Sequence, residues 1–381
     1  MTMTYNEGLL RTDLFPSDQV WRDVDPKLYM QYAAEAPFLT FMEAVTGKPR
    51  KVKAFKYEHE YQGRNARQTA VASLTGTTVV NVTAGTGKYF SPNDQMLNVT
   101  TSEIVNVVSV STDAVTVDRD VSGTGLDWTA ADVLVRLAKN VPEGGTASDS
   151  VNVQPETWYN YIQQIDQTLE MSWLAIESQF YAENSPEKTR FEEAIKEHMR
   201  SVNTAILFSI LDSTASSGGG YRRSMNGIQA QVSNTLSCTD LTEPSFRTHL
   251  GTLAQYSNKP RLLVGGPNVL TMLEAWGMAD RFVEDTKMQE EFGFEVLRYR
   301  NGYFPLKILI DYTFSDCGYA NNALIVDLSE TRLVEMIPRI VIKDFKKDGT
   351  YKKQHVVYWA VSIETTHPHA GSKLTGVNTS S

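Results

Sequence analysis

"SPEKTRFEEAIKEHMRSVNTAILFS", residues 185–209, decides how the rest of the chain is read. Ser185 is placed to cap a helix, Pro186 fits its first position, and Glu187 complements the positive end of the dipole. Phe191, Ile195, Met199, Val202, Ile206 and Ile210 then recur at spacings of three and four. Glu187, Lys188, Glu192, Lys196 and Arg200 lie off that stripe. The pattern predicts one amphipathic helix over 186–212, roughly 40 Å long at about 1.5 Å per residue. Such a length exceeds the core of one small domain, so the helix is expected to be a spine beneath several elements.

Upstream of the spine the text changes character several times. Residues 1–46 are interrupted by Pro16, Pro26 and Pro37 and carry short helical pieces, "PKLYMQYAAEA" and "PFLTFMEAV". They are expected to form an arm with little core of its own, lying along a partner surface. Residues 47–67, "GKPRKVKAFKYEHEYQGRNAR", alternate and are basic: Lys or Arg at 48, 50, 51, 53, 56, 64 and 67 against Glu58 and Glu60, seven minus two, or +5. A solvated extended strand and an arm docking on an acidic neighbour both fit that charge. From 76 to about 140, "TTVVNVT", "QMLNVT", "EIVNVVSVS", "AVTVDRD" and "DVLVRLA" are short and β-branched, with turn residues between them. They predict a compact all-β module, a small barrel or sandwich. Residues 151–161 alternate again and are read as a strand returning to pair with the basic one at 50–62.

Downstream of the spine, helix and strand alternate. "EPSFRTHLGTLAQYS" and "PNVLTMLEAWG" read as helices, and "PRLLVGG", "FEVLRYR", "PLKILID" and "ALIVDL" as strands. Two longer strands follow, "RLVEMIPRIVIKDF" and "HVVYWAVSIETT", joined by "KKDGTYKKQ" with its Asp-Gly turn signal. The tail "KLTGVNTSS" is expected to fray. The fold class is α+β.

Composition narrows the function classes. The 381-residue chain has a net charge of −9, which argues against a general nucleic-acid binder. Two cysteines, Cys238 and Cys317, cannot build a disulfide framework and suit a reducing compartment. No run approaches the roughly 18 apolar residues of a membrane span, and the N-terminus lacks the pattern of a secretory leader. A soluble protein made in the cytosol is expected.

The motifs with chemically capable residues do not add up to a site. "TAGTGKYFSPND", 83–94, resembles a phosphate loop, but Val82 stands where the first glycine belongs and Tyr89 follows Lys88. Its glycines are better read as the turn of a hairpin, with Gly85 and Gly87 supplying turn conformations. "RLLVGGPNVLTML" has the outline of a dinucleotide site without its glycine spacing, and Pro267 removes an amide donor. His198 has no second histidine at helical spacing, and "HPHA" (His367, His369) lacks a third ligand nearby. Cys238 with His249 lacks a nucleophile signature, and the sequons at Asn81 and Asn98 mean nothing without secretion. Asp280, Glu284, Asp285, Glu290 and Glu291 in "DRFVEDTKMQEEF" read more simply as a solvated helix face than as an acid–base pair. No catalytic, cofactor-binding or metal residue is assigned, and an enzyme ranks last among the readings.

What remains is an order of parts: interrupted arm, basic strand, β-module, returning strand, spine helix, α+β domain and long final strands. This order resembles the major capsid proteins of tailed bacteriophages with the Hong Kong 97-type fold, in the subgroup with a β-module inserted in the extended loop. The resemblance implies an arm at 1–46, an extended loop at 47–75 with 146–172, and an inserted all-β domain at 76–145. It further implies a peripheral domain at 173–217 with 336–381 and an axial domain at 218–335. The implied function is an icosahedral head of hexameric and pentameric capsomers enclosing double-stranded DNA, without a membrane and without a cofactor. Implied partners are copies of itself, a separate scaffold, a portal and decoration proteins, with assembly in the host cytoplasm. An encapsulin-like compartment and a tail or receptor-binding protein with a glycan-binding β-module are the alternatives that the same parts allow.

Overall fold

In the computed structural model, residues 36–63, 67–119, 127–144, 154–178, 186–215, 219–238, 242–275, 282–284, 296–299, 302–343 and 351–376 are described. Two compact units result, one of residues 60–158 and one of residues 1–59 with 159–381. The class is α+β, as the alternation of patterns predicts.

Among the described residues, the larger unit begins in chain order with α1 (Pro37–Thr46) and β1 (Arg50–Lys51). β2 (Lys56–Tyr61) leads into the smaller unit, whose strands are β3 (Gln68–Thr75), β4 (Val79–Val82), β5 (Asp94–Asn98), β6 (Ile104–Ser111), β7 (Ala114–Asp118) and β8 (Val133–Lys139). β9 (Glu156–Tyr161) returns and pairs with β2, the partnership expected from their shared alternation. Then come β10 (Gln163–Ser172), α2 (Trp173–Glu177) and the spine helix α3 (Pro186–Phe208). After the hairpin β11 (Asp212–Ala215) and β12 (Tyr221–Ser224) follow α4 (Ile228–Gln231), β13 (Asn234–Ser237), α5 (Glu243–Ala254), β14 (Arg261–Gly265) and α6 (Pro267–Ala275). The remaining strands are β15 (Phe282–Glu284), β16 (Val296–Tyr299), β17 (Leu306–Ile310), β18 (Ala323–Asp327), β19 (Thr331–Ile342), β20 (Lys352–Thr365) and β21 (Ser372–Thr375).

The smaller unit is a closed barrel in the order β3-β4-β7-β6-β5-β8. Val80, Val82, Val105, Val107, Val115 and Val117 alternate inward, with Met96, Leu134, Phe90 and Trp128 filling the rest. Irregular registers in the β3–β4, β5–β8 and β6–β7 pairings supply the bending that closure needs. The first barrel strand, Gln68–Thr75, falls inside 47–75, the stretch read as extended loop. Its "QTAVASLT" alternates weakly, because only Thr69 and Val71 face the interior.

"TAGTGKYFSPND" is a turn-rich connection rather than the hairpin expected: β4 pairs with β3 and β7 and β5 with β6 and β8, so the stretch crosses between strands that are not neighbours, and its two glycines serve it for different reasons. Gly85 has φ 79°, and its N–H donates to the Asp113 carboxylate. Gly87 has no positive φ; a Cβ there would stand 1.9 Å from the Thr112 carbonyl oxygen. One glycine turns the chain and the other lets it pass close to the β6–β7 turn.

In the larger unit a four-stranded sheet runs β1-β19-β20-β10 and a seven-stranded sheet runs β13-β21-β18-β14-β17-β16-β15. Its inner strands β14 and β18 are buried on both faces. Leu262, Val264, Leu324 and Val326 join one core with α1, the spine, Trp359, Val361 and Ile363. Leu263, Ile308, Ala323 and Ile325 join another with Phe246, Leu250 and Leu273. Strands covered twice read as continuous apolar runs, which is why "RLLVGG" and "ALIVDL" were legible. Gly265 and Gly266 belong to this packing: added Cβ atoms would stand 2.7 Å from Ala323 Cβ and 2.3 Å from the Ala320 carbonyl oxygen.

Several readings are corrected. "PFLTFMEAV" is not arm: Phe38, Leu39, Phe41 and Met42 are fully buried in the protein's own core. Its two aromatic and two long aliphatic side chains fit one helix face, a signal that the proline at its start obscured. The other arm piece, "PKLYMQYAAEA", lies outside the described residues but for Ala36. The spine stops at Phe208, short of 212, because Gly227 crosses its end and donates to the Ser209 carbonyl at 2.8 Å. Ile210, expected on the buried stripe, is exposed. The tail is not frayed through 373–375: β21 lies inside the seven-stranded sheet with Leu374 buried, away from the final strands with which 336–381 was grouped. Phe282–Glu284 is a strand paired with β16, not a helix face. Asp280, Asp285, Glu290 and Glu291 lie outside the described residues.

Candidate functional site

The final strands fasten the root of the β2–β9 ladder through one buried carboxylate. Glu364 on β20 is nearly inaccessible, and Arg50 of β1 donates to both its oxygens at 3.1 Å. Arg332 of β19 donates through Nε at 2.6 Å, and His59 Nδ1 of β2 stands 3.3 Å away. Burial by itself would raise the pKa of Glu364. Contact with His59, the hydrogen bond and charge of Arg332, and the bond from Arg50 outweigh it and hold the pKa at about 2. A carboxylate this enclosed persists only with such partners.

Beside it, one backbone carbonyl gathers three side chains. Ile363 O accepts from Tyr57 Oη at 2.9 Å, from Asn160 Nδ2 at 2.9 Å and from Gln231 Nε2 at 3.0 Å. Tyr57 also meets Ser362 Oγ at 3.0 Å, and burial pushes the Tyr57 pKa up. Both strands of the ladder, through Tyr57 and Asn160, are thus anchored to β20.

The spine is held near both ends. At its start Glu187 accepts from Lys353 Nζ at 2.7 Å and lies 2.9 Å from His355 Nε2. The Lys353 bond lowers the Glu187 pKa, against burial, with help from His355. Toward its end Asn203, fully buried, accepts from the Leu39 amide at 3.0 Å. The same side chain donates to Asp311 at 2.8 Å and to Thr313 Oγ1 at 2.9 Å. One amide therefore ties α1, the spine and the turn after β17.

Among the residues weighed for chemistry, the structure brings few together. Cys238 is buried, which pushes its thiol up to about 11, and its N–H pairs with Thr375. His249 bonds to Ser372 Oγ at 2.6 Å, and burial lowers its pKa. His198 is buried on the spine; burial, then the Arg339 charge, lowers its pKa to about 4. His369 stacks on Tyr256 at 5.8 Å, and His367 meets the same ring edge-on. Asn98 is turned inward and donates to Asp132 at 3.0 Å. Among the described residues, no group of three or more His, Cys, Asp or Glu side chains could hold a metal ion.

Sequence reasoning missed Glu364, Asn160, Gln231 and Asn203. Two carried a signal: Glu364 is the lone acid in the apolar run "VVYWAVSIETT", and Asn203 interrupts "VNTAILF" on the buried side of the spine. Half of the cationic answer to Glu364 was visible as the basic run at 47–67, in Arg50.

What a chain so built does follows from its family. A family model described as SU10 major capsid protein matches residues 2–378. The chain belongs to that family. It is a major capsid protein, a phage head shell protein, as the order of its parts implied. Among solved structures, this capsid protein is similar to the capsid of a native GTA particle at 10% identity, covering 96% of this chain and 98% of that one, with a TM-score of 0.49. It is similar to the capsid of Myoviridae phage XM1 at 9% identity, covering 97% and 100%, with a TM-score of 0.47. The corresponding figures for Gordonia phage Cozz are 10%, 94%, 92% and 0.48. No curated protein sequence matches the chain.

Proposed function

We propose that this capsid protein assembles with copies of itself into the icosahedral head of a tailed phage, enclosing double-stranded DNA without sequence specificity. The observation that carries the reading is the family match over 2–378. In this reading the β2–β9 ladder reaches over a neighbouring subunit, and its anchoring at Glu364 supports that part. A two-stranded element has little core, and it can bear load between subunits only if its root is fixed in its own chain.

The working surfaces are interfaces, each copy burying area against its neighbours so that many modest contacts sum over the shell. The spine, held near its start by β20 and near its end by Asn203, is the candidate bending element when packed subunits shift during expansion. The barrel at 68–139 is the module that distinguishes this shell. A separate scaffold, a portal and decoration proteins are the further partners, with assembly in the host cytoplasm.

Electron microscopy of particles made by the chain, alone and with co-expressed head proteins, tests the reading. Closed shells of uniform diameter, and nuclease-protected DNA in complete particles, are expected. Soluble subunits that form no shell under any of these conditions would contradict it. Shells that co-purify with a single enzyme cargo would move the assignment to a protein compartment.

A further inference from the structure

An arginine on the β11–β12 hairpin is held between two exposed rings and answered by no acid. The Arg223 guanidinium carbon lies 4.1 Å from the centre of the Phe55 ring and 5.4 Å from that of Tyr221. Phe55 is 50% exposed and Tyr221 64%. Arg223 Nε is buried without a hydrogen-bond partner, and its side chain makes no ion pair among the described residues. The pleat explains why. Ser213 stands opposite Arg223 and Ala215 opposite Tyr221, so these four share one face of the hairpin, while Asp212 lies on the other face with Arg222. Near Phe55 in the chain, Glu58 is taken by Lys56, and Lys51 and Lys53 are exposed with Glu60 to offset them. The stretches beside the patch that lie outside the described residues, Arg64 to Ala66 and Ser216 to Gly218, carry no carboxylate. A half-buried guanidinium held flat by two rings has lost part of its water and keeps its fork of donors in one orientation. That arrangement receives a carboxylate.

We infer that residues 18–25 of the chain, "DQVWRDVD", dock on this patch, with an aspartate carboxylate on the Arg223 fork and Trp21 against the exposed rings. Asp18, Asp23 and Asp25 against Arg22 give the stretch a charge of one minus three, or −2, and Val20, Trp21 and Val24 lie among them. It therefore matches both halves of the patch, the cation and the rings. It also has the reach. Asp18 stands 18 positions before Ala36, where the described chain begins, which is roughly 60 Å of extended chain at about 3.3 Å per residue. A second acidic stretch outside the described residues, 285–295, closes between the paired strands β15 and β16 and extends at most roughly 20 Å from them. Nucleic acid fits less well, because it needs a run of uncommitted cations, whereas Arg50 is bound to Glu364 and Lys56 to Glu58. The contact exists in subunit and shell alike, since the segment can come from the same copy or from a neighbour. The basic run at 47–67 thereby gains the acidic neighbour that its charge allows.

The test uses the full chain. Benzoylphenylalanine in place of Tyr221 keeps an aromatic side chain at the patch and should crosslink to residues 18–25, mapped by mass spectrometry. Asp18→Asn, Asp23→Asn and Asp25→Asn together leave the patch untouched and should cut that crosslink roughly tenfold, the scale of a charge-assisted pair. Arg223→Gln should cut it as far. Unchanged yield in either variant would overturn the docking. So would the absence of a crosslink, or one mapped to 285–295, to nucleic acid or to a second protein. Should Arg223→Gln fail to fold by circular dichroism, the asparagine variant alone decides, because it leaves Phe55, Tyr221 and Arg223 in place.

Discussion

Asn203 Nδ2 lies 2.8 Å from Asp311 Oδ2, deep between the spine helix and the turn after β17, while its Oδ1 takes the Leu39 amide. Asn203→Leu keeps the volume and removes both bonds. It leaves a buried carboxylate and a buried N–H short of partners, at a cost of roughly 2 to 4 kcal/mol. Chemical denaturation of unassembled subunits would measure it. A change within a few tenths of a kcal/mol would mean that water or a neighbouring group replaces the amide.

Glu364 makes stability at low pH measurable. Its folded pKa, about 2, lies below the ordinary carboxylate value of 4.5, so the carboxylate's contribution is present above about pH 4.5 and is lost as pH falls toward 2. Its full size is roughly 3 kcal/mol. Melting temperatures of wild type and Glu364→Gln, followed from pH 6 to 2, should converge at the acid end. Parallel curves would show that the cluster around Arg50 and Arg332 does not set the pH dependence.

Residues 36–46 are expected to be indispensable to the subunit's own fold. Phe41 is fully buried, and Phe41→Ala should cost about 3 to 5 kcal/mol. Deleting 36–46 should abolish cooperative unfolding, whereas an arm lying only on a neighbour would leave the subunit's melt unchanged.

Much of this was legible in the sequence, for reasons that particular residues make plain. The spine announced itself because Pro186 and Glu187 marked its start and apolar residues kept a helical period through Ile206. The inner strands of the seven-stranded sheet showed as unbroken apolar runs because both faces are covered. Long-range geometry was hidden. Nothing near Phe38 says that it will pack beneath a helix some 160 positions later, and nothing near "KLTG" says that Leu374 slots between β13 and β18. The polar joints were hidden for the same reason: Glu364 meets Arg50 across 314 positions. Gln68–Thr75 was assigned to the wrong element because barrel strands facing solvent on one side alternate only as well as their surface residues allow.

The barrel's two turn glycines should respond differently. Gly87→Ala drives a methyl into the Thr112 carbonyl and should destabilise the barrel by about 2 kcal/mol or more. Gly85→Ala meets no neighbour and strains only its left-handed φ, a cost of about 1 kcal/mol. Hydrogen exchange across 68–139 in the full chain separates the two. Equal effects would remove the close-approach explanation.

If the chain functions by association with its own copies, sedimentation velocity of the purified wild-type chain should show it. A boundary of subunits or capsomers that converts, above a threshold concentration, into one fast shell-sized species is expected. A single species of 42.6 kDa at every concentration and in every assembly buffer would contradict it.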